Sequence, residues 1–518
     1  LSAGPPLPAP SLTDLLLAAG FIVLGFCFWE WRLLFSSGLY SSNAGVGITV
    51  FFLLAVVLSF VYLQARGARQ NAKSLLMLLV AVAGALPFVL NGPREINIIL
   101  LSFEACACLL WVMCVCRTSI ADRLSGLLVA DLLNQTLIIP FANFGRLFTQ
   151  PFRWVAGAGK VLRPFLFAVV GVIICIPIFA LVINLLVLSD DGFRLLADNV
   201  LASIDFGNMP RYLGDFILGV PLAAYLFGAV FGNVAKQHTS RISAQGGLRV
   251  FAAAHALPRA LILTPLVLFV LLYVVYFIAM GSYLFSATVG ELPAAYTYAE
   301  YARRGFFELC AVATINFFIL AGIWMFTRRG AREYPPALRV LSGLLALLTC
   351  LLIITAASKM LLYIQTYGLT PLRLYTSWFM ALMLLIFLAL VTWHIRPYNA
   401  ARPIIVLIVV FTLGLGLVNT NGLIADYNVE RYLSGQTKII DAEALSFLGD
   451  PAMPALHRLQ EESADVRVSE EAADAIRDIG DPYSPANSGM LQNRDPQAGL
   501  YWPGWNLRAF EAARLTGT

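Results

Sequence analysis

Long apolar stretches separated by short polar connections dominate the chain. A helix needs about 20 mostly apolar residues to cross a hydrocarbon core of about 30 Å, and by that measure about eleven stretches are candidates. They are Leu12–Trp29, Val46–Leu63, Ser74–Asn91, Asn97–Cys116, Val161–Leu186, Tyr212–Asn233, Ala260–Leu284, Arg304–Phe326, Val340–Tyr363, Leu374–Trp393 and Pro403–Val418. The first is crowded at its end by Glu30 and Arg32. It has no basic flank before it and no small-residue cleavage site after it, so it reads as a span and not as a signal peptide. The predicted fold class is all-α, a polytopic transmembrane helix bundle.

Two stretches break the pattern. Near 120–154, Leu124, Leu127, Leu128, Leu132 and Leu133 recur at helical spacing, with Asp122, Arg123, Asp131, Asn134 and Gln135 between them. This predicts either an amphipathic helix on the cytoplasmic surface, with Arg146 and Arg153 toward lipid headgroups, or a covering helix packed on the bundle. From about residue 423 the composition turns acidic, with Glu461, Glu462, Asp465, Glu470, Glu471, Asp474, Asp478 and Asp481 in close succession. The expected organisation is a membrane bundle over 1–422 and a small soluble helical domain over 423–518. Within the latter, Asp441 and Ser469 stand where N-caps stand, ahead of Ala442–Leu448 and Glu470–Ile479. Leu448 to Leu456 resembles the turn and second helix of a single helical-repeat unit. Tyr501, Trp502 and Trp505 suit the membrane interface.

Composition agrees with the pattern: 59% of residues are hydrophobic and 13% charged, against roughly a quarter charged in soluble domains. The net charge of +5 is mild, and the basic residues lie between apolar runs, so no nucleic-acid partner is expected. Their placement is asymmetric. The loops after the second, fourth, sixth, eighth and tenth candidates hold about three times as many Lys and Arg as the opposite set, which puts the N-terminus in the cytoplasm and the C-terminal domain outside. A multi-pass location in the cytoplasmic membrane, with membrane lipids as neighbours, is the corresponding expectation.

Standard catalytic signatures are absent: no phosphate-binding loop, no Gly-x-Ser-x-Gly, no His-Glu-x-x-His. The four histidines are far apart, and Cys106, Cys108, Cys114 and Cys116 alternate around one helix, so neither a metal nor another cofactor is implied. Gly228-Ala-Val-Phe-Gly232 is a small-xxx-small pattern that allows close helix approach.

Ionisable residues inside spans are costly and mark candidate sites. On the orientation above, Glu104, Asp215, Arg304, Glu308, Lys359, Arg373 and Tyr375 fall in the outer parts of their spans. Asn421, Asp426 and Asn428 follow the last one. Any one of them could simply reach water at a helix end. Together they suggest an outward polar cavity in which Arg303, Arg304, Lys359 and Arg373 bind a phosphate or carboxylate and Glu308 is the candidate base. The inner halves hold almost no charge, which counts against a transport path.

Tyr301-Ala-Arg-Arg-Gly-Phe-Phe-Glu-Leu309, Tyr367-Gly-Leu-Thr-Pro-Leu-Arg-Leu-Tyr375, Asn421-Gly-Leu-Ile-Ala-Asp-Tyr-Asn428 and Trp505-Asn-Leu-Arg resemble a family of bacterial polytopic membrane proteins known as domain of unknown function 4173. The resemblance implies a bacterial membrane protein and no particular activity. Three functional classes are open: a protein that binds or processes an anionic or lipid-linked envelope substrate, a secondary transporter, and a sensor or assembly scaffold with a protein partner at the C-terminal domain. The first is preferred, and whether it is an enzyme is left open.

Overall fold

The computed structural model describes residues 7–31, 45–91, 96–119, 128–157, 209–237 (with Thr239), 259–289, 306–327, 336–396 and 398–480, together with isolated residues between 164 and 189 and beyond 506. Every described element is a helix or a helical turn. Among the described residues, eight helices are long and apolar enough to cross a membrane, or nine if one bent pair counts as a single span. The candidate Val161–Leu186 lies largely outside the described residues. The chain divides into two compact units whose main blocks are Leu1–Ile120 with Val129–Arg241, and Ile242–Ser488.

Unit 1 contains α1 (Leu12–Glu30), α2 (Val46–Ala65), α3 (Ala72–Asn91), α4 (Asn97–Cys116) and α8 (Met209–Val234) as long helices. Between α4 and α8 come α5 (Leu128–Leu133), a π-helical turn (Asn134–Ile138), α6 (Ile139–Ala142) and α7 (Arg146–Ala156). Helices α1 and α8 run antiparallel and cross at Gly25 and Gly219. A Cβ on Gly25 would overlap the Gly219 carbonyl, and one on Gly219 would overlap the backbone around Gly25. Only glycine lets the two backbones meet this closely.

Polar clamps fix the ends of unit 1. At one end, Arg66 pairs with the buried Asp14, and Tyr62 Oη donates to Asp14 Oδ1 at 2.8 Å, tying the end of α2 to the start of α1. At that same end, Asn71 Nδ2 donates to the Cys114 carbonyl at 3.0 Å, and Thr118 after α4 bonds Asn233 of α8. At the opposite end Arg211 of α8 pairs with Glu30 of α1. Helices α1 to α4 therefore alternate in direction, and α8 runs antiparallel to α1.

Residues 128–156 close the Asp14 end, and their polarity is turned inward. Asp131, Asn134, Gln135, Asn143 and Gln150 are buried, while Val129, Leu133, Leu137, Phe141, Phe148 and Phe152 are exposed. Gln135 and Asn233 exchange side-chain hydrogen bonds at 2.7 and 3.1 Å. The glycines of the small-xxx-small pattern serve this segment: a Cβ on Gly228 would meet the Pro140 carbonyl, and one on Gly232 the Asn143 side chain. The close approach is to α6 and the turn after it.

Unit 2 contains α9 (Arg259–Val289), α10 (Phe306–Thr327), α11 (Pro336–Tyr367), α12 (Pro371–Ile395), α13 (Ala401–Leu417) and α14 (Thr420–Leu433). The last two are the pair bent by 67°. Three buried side chains link α9, α10 and α11: Tyr273 Oη donates to Asn316 Oδ1, and Asn316 Nδ2 donates to Thr349 Oγ1, both at 2.9 Å. Ser342 of α11 and His394 of α12 are hydrogen-bonded at 2.6 Å, while Arg339 donates to the His394 and Ile395 carbonyls that end α12.

A small helical cap completes unit 2: α15 (Ala442–Ser446), a 3₁₀ turn (Asp450–Ala452), α16 (Met453–Glu462) and α17 (Val466–Gly480). Asp441 caps α15 by accepting from Ala444 N at 2.8 Å. Ser469 is not an N-cap: α17 already begins at Val466, and the Ser469 hydroxyl donates instead to the Gln460 carbonyl at 2.8 Å. Ala472, Ala475, Ile476 and Ile479 recur at helical spacing and bury one face of α17 with Leu445, Leu456 and Leu459. The cap's acidic side chains remain outside. Arg458 bridges Glu430 and Glu462 there, and these two carboxylates raise its pKa.

Candidate functional site

The predicted polar set does not form one described cluster. Arg303 and Arg304 lie outside the described residues, Glu104 and Asp215 belong to unit 1, and the remaining members belong to unit 2. In unit 1, Glu104 is fully buried on α4 against Gly84 of α3. Its Oε1 accepts from Cys108 Sγ at 3.3 Å, and its Oε2 has no hydrogen-bond partner among the described residues. Asp215 stands on another helix beside Arg211, 3.9 Å from Nε.

In unit 2 most of the set meets at one joint. Helix α11 ends at Gly368, whose φ of +79° suits glycine, and α12 restarts with Pro371. Arg373 reaches back from α12 to the Tyr367 and Gly368 carbonyls at 3.0 and 2.5 Å, with its guanidinium 4.0 Å from the centre of the Tyr363 ring. Arg431 of α14 takes the Ile364 and Gln365 carbonyls, the first at 3.1 Å. Asn428 bonds Leu369 at both its N–H and its carbonyl. These donors answer the unsatisfied carbonyls that end any helix. Tyr375 faces Thr420 at 3.4 Å, and Asn421 Nδ2 donates to the Leu448 carbonyl at 3.0 Å, joining α14 to the cap. Asp426 is exposed. The second and third family-like motifs thus build the seam where α11, α12, α14 and the cap come together. The signal was present in the sequence, because glycine followed within three residues by proline is a helix stop and restart.

Lys359 and Glu308 stand apart from this joint. Lys359 is 2% exposed and lies about 12 Å below the Tyr367 end of α11 at 1.5 Å per residue. Glu308, exposed in the first turn of α10, is its electrostatic neighbour. A crevice between α10, α11 and α12 begins within a helical turn of both. It is lined by Leu309, Cys310, Ala313, Ile353, Ala356, Phe379, Met380 and Met383. A charged pair therefore adjoins an apolar slot. Among the described residues, no group of three His, Cys, Asp or Glu side chains could hold a metal.

Asn316, Thr349 and Tyr273 are inconspicuous in the sequence, because single uncharged polar residues barely interrupt an apolar run. Asp14 and Asn233 are inconspicuous for a different reason, since each lies close to a helix end, and Gln135 shows in the sequence only as a polar position of the amphipathic stretch. These residues carry the buried hydrogen bonds that hold helices together in a medium without water.

Alternating apolar helices, polar clamps at their ends and buried interhelical hydrogen bonds define an integral membrane protein of multi-pass helical type. The family model Domain of unknown function (DUF4153) matches residues 48–459, and the chain belongs to that family. The family is one of unknown function, as the motifs implied, but its number corrects the resemblance to 4173. No curated protein and no solved structure matches the chain.

Proposed function

We propose that this protein binds an anionic, lipid-linked substrate of the bacterial cell envelope. The headgroup would sit at Lys359 and Glu308, with the first part of its apolar portion against the narrow crevice beside them. The observation that carries this reading is the adjacency of a buried ammonium group to a slot lined by apolar side chains, because an amphiphile needs both within one helical turn. Glu308, at the mouth, is the candidate proton acceptor, and Arg303 and Arg304 precede it in sequence as further candidate anion donors. The basic loops support an orientation in the inner membrane with the Asp14 end of unit 1 cytoplasmic and the acidic cap outside. In that orientation the cap would meet a protein partner on the external side.

The test is lipid identification by native mass spectrometry on the purified protein, comparing wild type with Lys359→Met, which keeps the stem and removes the charge. Wild type should carry an anionic amphiphile that Lys359→Met holds roughly tenfold more weakly, a loss of about 1.4 kcal/mol. Equal retention by the two would sink the proposal.

One observation favours secondary transport as a second reading. Tyr273, Asn316 and Thr349 place hydrogen-bonded polar groups in the middle of α9, α10 and α11, deeper than the charged residues reach. Substrate flux into proteoliposomes that is abolished by Asn316→Leu would favour this reading over simple binding.

A further inference from the structure

Residues 128–156 present their apolar side chains outward and their amides inward, the reverse of a helix lying on a soluble core. Val129, Leu133, Leu137 and Phe141 recur every fourth residue on the exposed side of α5, the π turn and α6, and Phe148 and Phe152 continue the pattern on α7. The opposite side is tied to unit 1 by Gln135 to Asn233, by Tyr225 Oη to the Thr136 carbonyl at 2.9 Å, and by the approach of Pro140 and Asn143 to Gly228 and Gly232. Tyr225 lies about 13 Å along α8 from its Val234 end at 1.5 Å per residue. The segment therefore packs alongside roughly the last two to three turns of a spanning helix, too short to cross and too apolar outside to face water.

Helix α7 then carries the charge. Its exposed side holds Phe148, Thr149, Phe152 and Arg153. Arg146 is half-buried at its start, and Leu147, Gln150 and Val155 face the unit. Among the described residues, neither arginine is ion-paired to a carboxylate. Arginines beside exposed phenylalanines are chemically matched to a phosphate above acyl chains: the guanidinium forks onto phosphate oxygens while the rings enter hydrocarbon.

We propose that residues 128–156 are a re-entrant wedge seated in one leaflet, and that α7 binds the phosphate of an anionic phospholipid through Arg146 and Arg153, with Phe148 and Phe152 against its acyl chains. This surface belongs to unit 1 and does not depend on the Lys359 reading. Charge complementarity selects the lipid class. A zwitterionic headgroup offers the same phosphate with a cation held over it, so the preference for an anionic headgroup is the property to measure.

The experiment uses the full chain in mild detergent with equal amounts of phosphatidylglycerol and phosphatidylcholine of identical acyl chains, read by native mass spectrometry. Wild type should retain phosphatidylglycerol at least about threefold better than phosphatidylcholine, the discrimination expected of one or two charge-assisted hydrogen bonds at an interface. Arg153→Gln, at an exposed position that leaves the fold intact, should remove at least half of that preference, and the Arg146→Gln/Arg153→Gln pair should remove all of it. Phe148→Ser/Phe152→Ser should weaken retention of both lipids alike. Inorganic phosphate at the lipid concentration should leave the retained lipid unchanged. Equal retention of the two lipids by wild type, or full preference in Arg153→Gln, would overturn the proposal. Displacement by inorganic phosphate would overturn the leaflet assignment in favour of a free-anion site.

Discussion

Asn428 holds Leu369 by both of its backbone polar groups. The side-chain oxygen accepts from the Leu369 N–H, and the side-chain nitrogen donates to the Leu369 carbonyl, each at 2.8 Å. A carboxamide donates and accepts in a single plane in this way at any pH. It joins α14 to the turn between two long spanning helices at a point where neither helix can satisfy its own backbone.

Asn428→Ala strands both Leu369 groups in a half-buried turn and should cost about 1–3 kcal/mol. Asn428→Asp keeps the acceptor and loses the donor, so it should be at least as damaging, because a carboxylate then faces the Leu369 carbonyl. Thermal unfolding of the purified protein checks both, and an unchanged midpoint in Asn428→Ala would refute the clamp.

At the crossing of α1 and α8, Gly25→Ala and Gly219→Ala each add a methyl where the opposing backbone already sits. Overpacking of this kind costs about 1–3 kcal/mol. Both variants should lower the unfolding midpoint of the detergent-solubilised protein, whereas Gly67→Ala meets no neighbouring atom. Gly67 has a φ of +78°, so its substitution reports backbone strain alone and serves as the control for crowding.

Glu104 behaves differently from the other acidic residues. It is fully buried against Gly84, one oxygen lacks a partner among the described residues, and the other accepts from a thiol. Glu104→Gln preserves shape and removes a carboxyl from hydrocarbon, so the unfolding midpoint should stay the same or rise. A fall of several degrees would mean that the carboxyl group itself has a role that an amide does not fill.

The spans were legible because length and apolarity are sufficient signals for a helix in lipid. Ten of the candidate spans fall on described helices, from α1 at Leu12–Glu30 to α13 at Ala401–Leu417. Legibility ended where one pattern fits two surroundings. The alternation of Leu133 with Asn134 and Gln135 marks an amphipathic segment, but periodicity does not say whether water or protein takes the polar side. Residues such as Arg373 and Asn428 were legible as polar groups at a membrane depth. The hold of Asn428 on Leu369 was not, because the two lie 59 residues apart, whereas Arg373 reaches carbonyls only five and six residues before it.

The reciprocal pair of Gln135 and Asn233 gives the sharpest test of the inward-facing polar seam. Both side chains are buried and exchange hydrogen bonds, and Asn233 also bonds Thr118 and the Ala229 carbonyl. Asn233→Leu leaves Gln135 and Thr118 without these partners and should cost about 1–3 kcal/mol. Gln135→Leu should cost less, since Asn233 retains Thr118 and the Ala229 carbonyl. If the pair acts as a unit, the double variant should be less damaging than the two single losses added together, by about 0.5–2 kcal/mol, because the second substitution removes a group already stranded by the first. Strict additivity of the two losses would mean that the amides contribute independently and that the seam is held by packing of α6 against Gly228 and Gly232 alone.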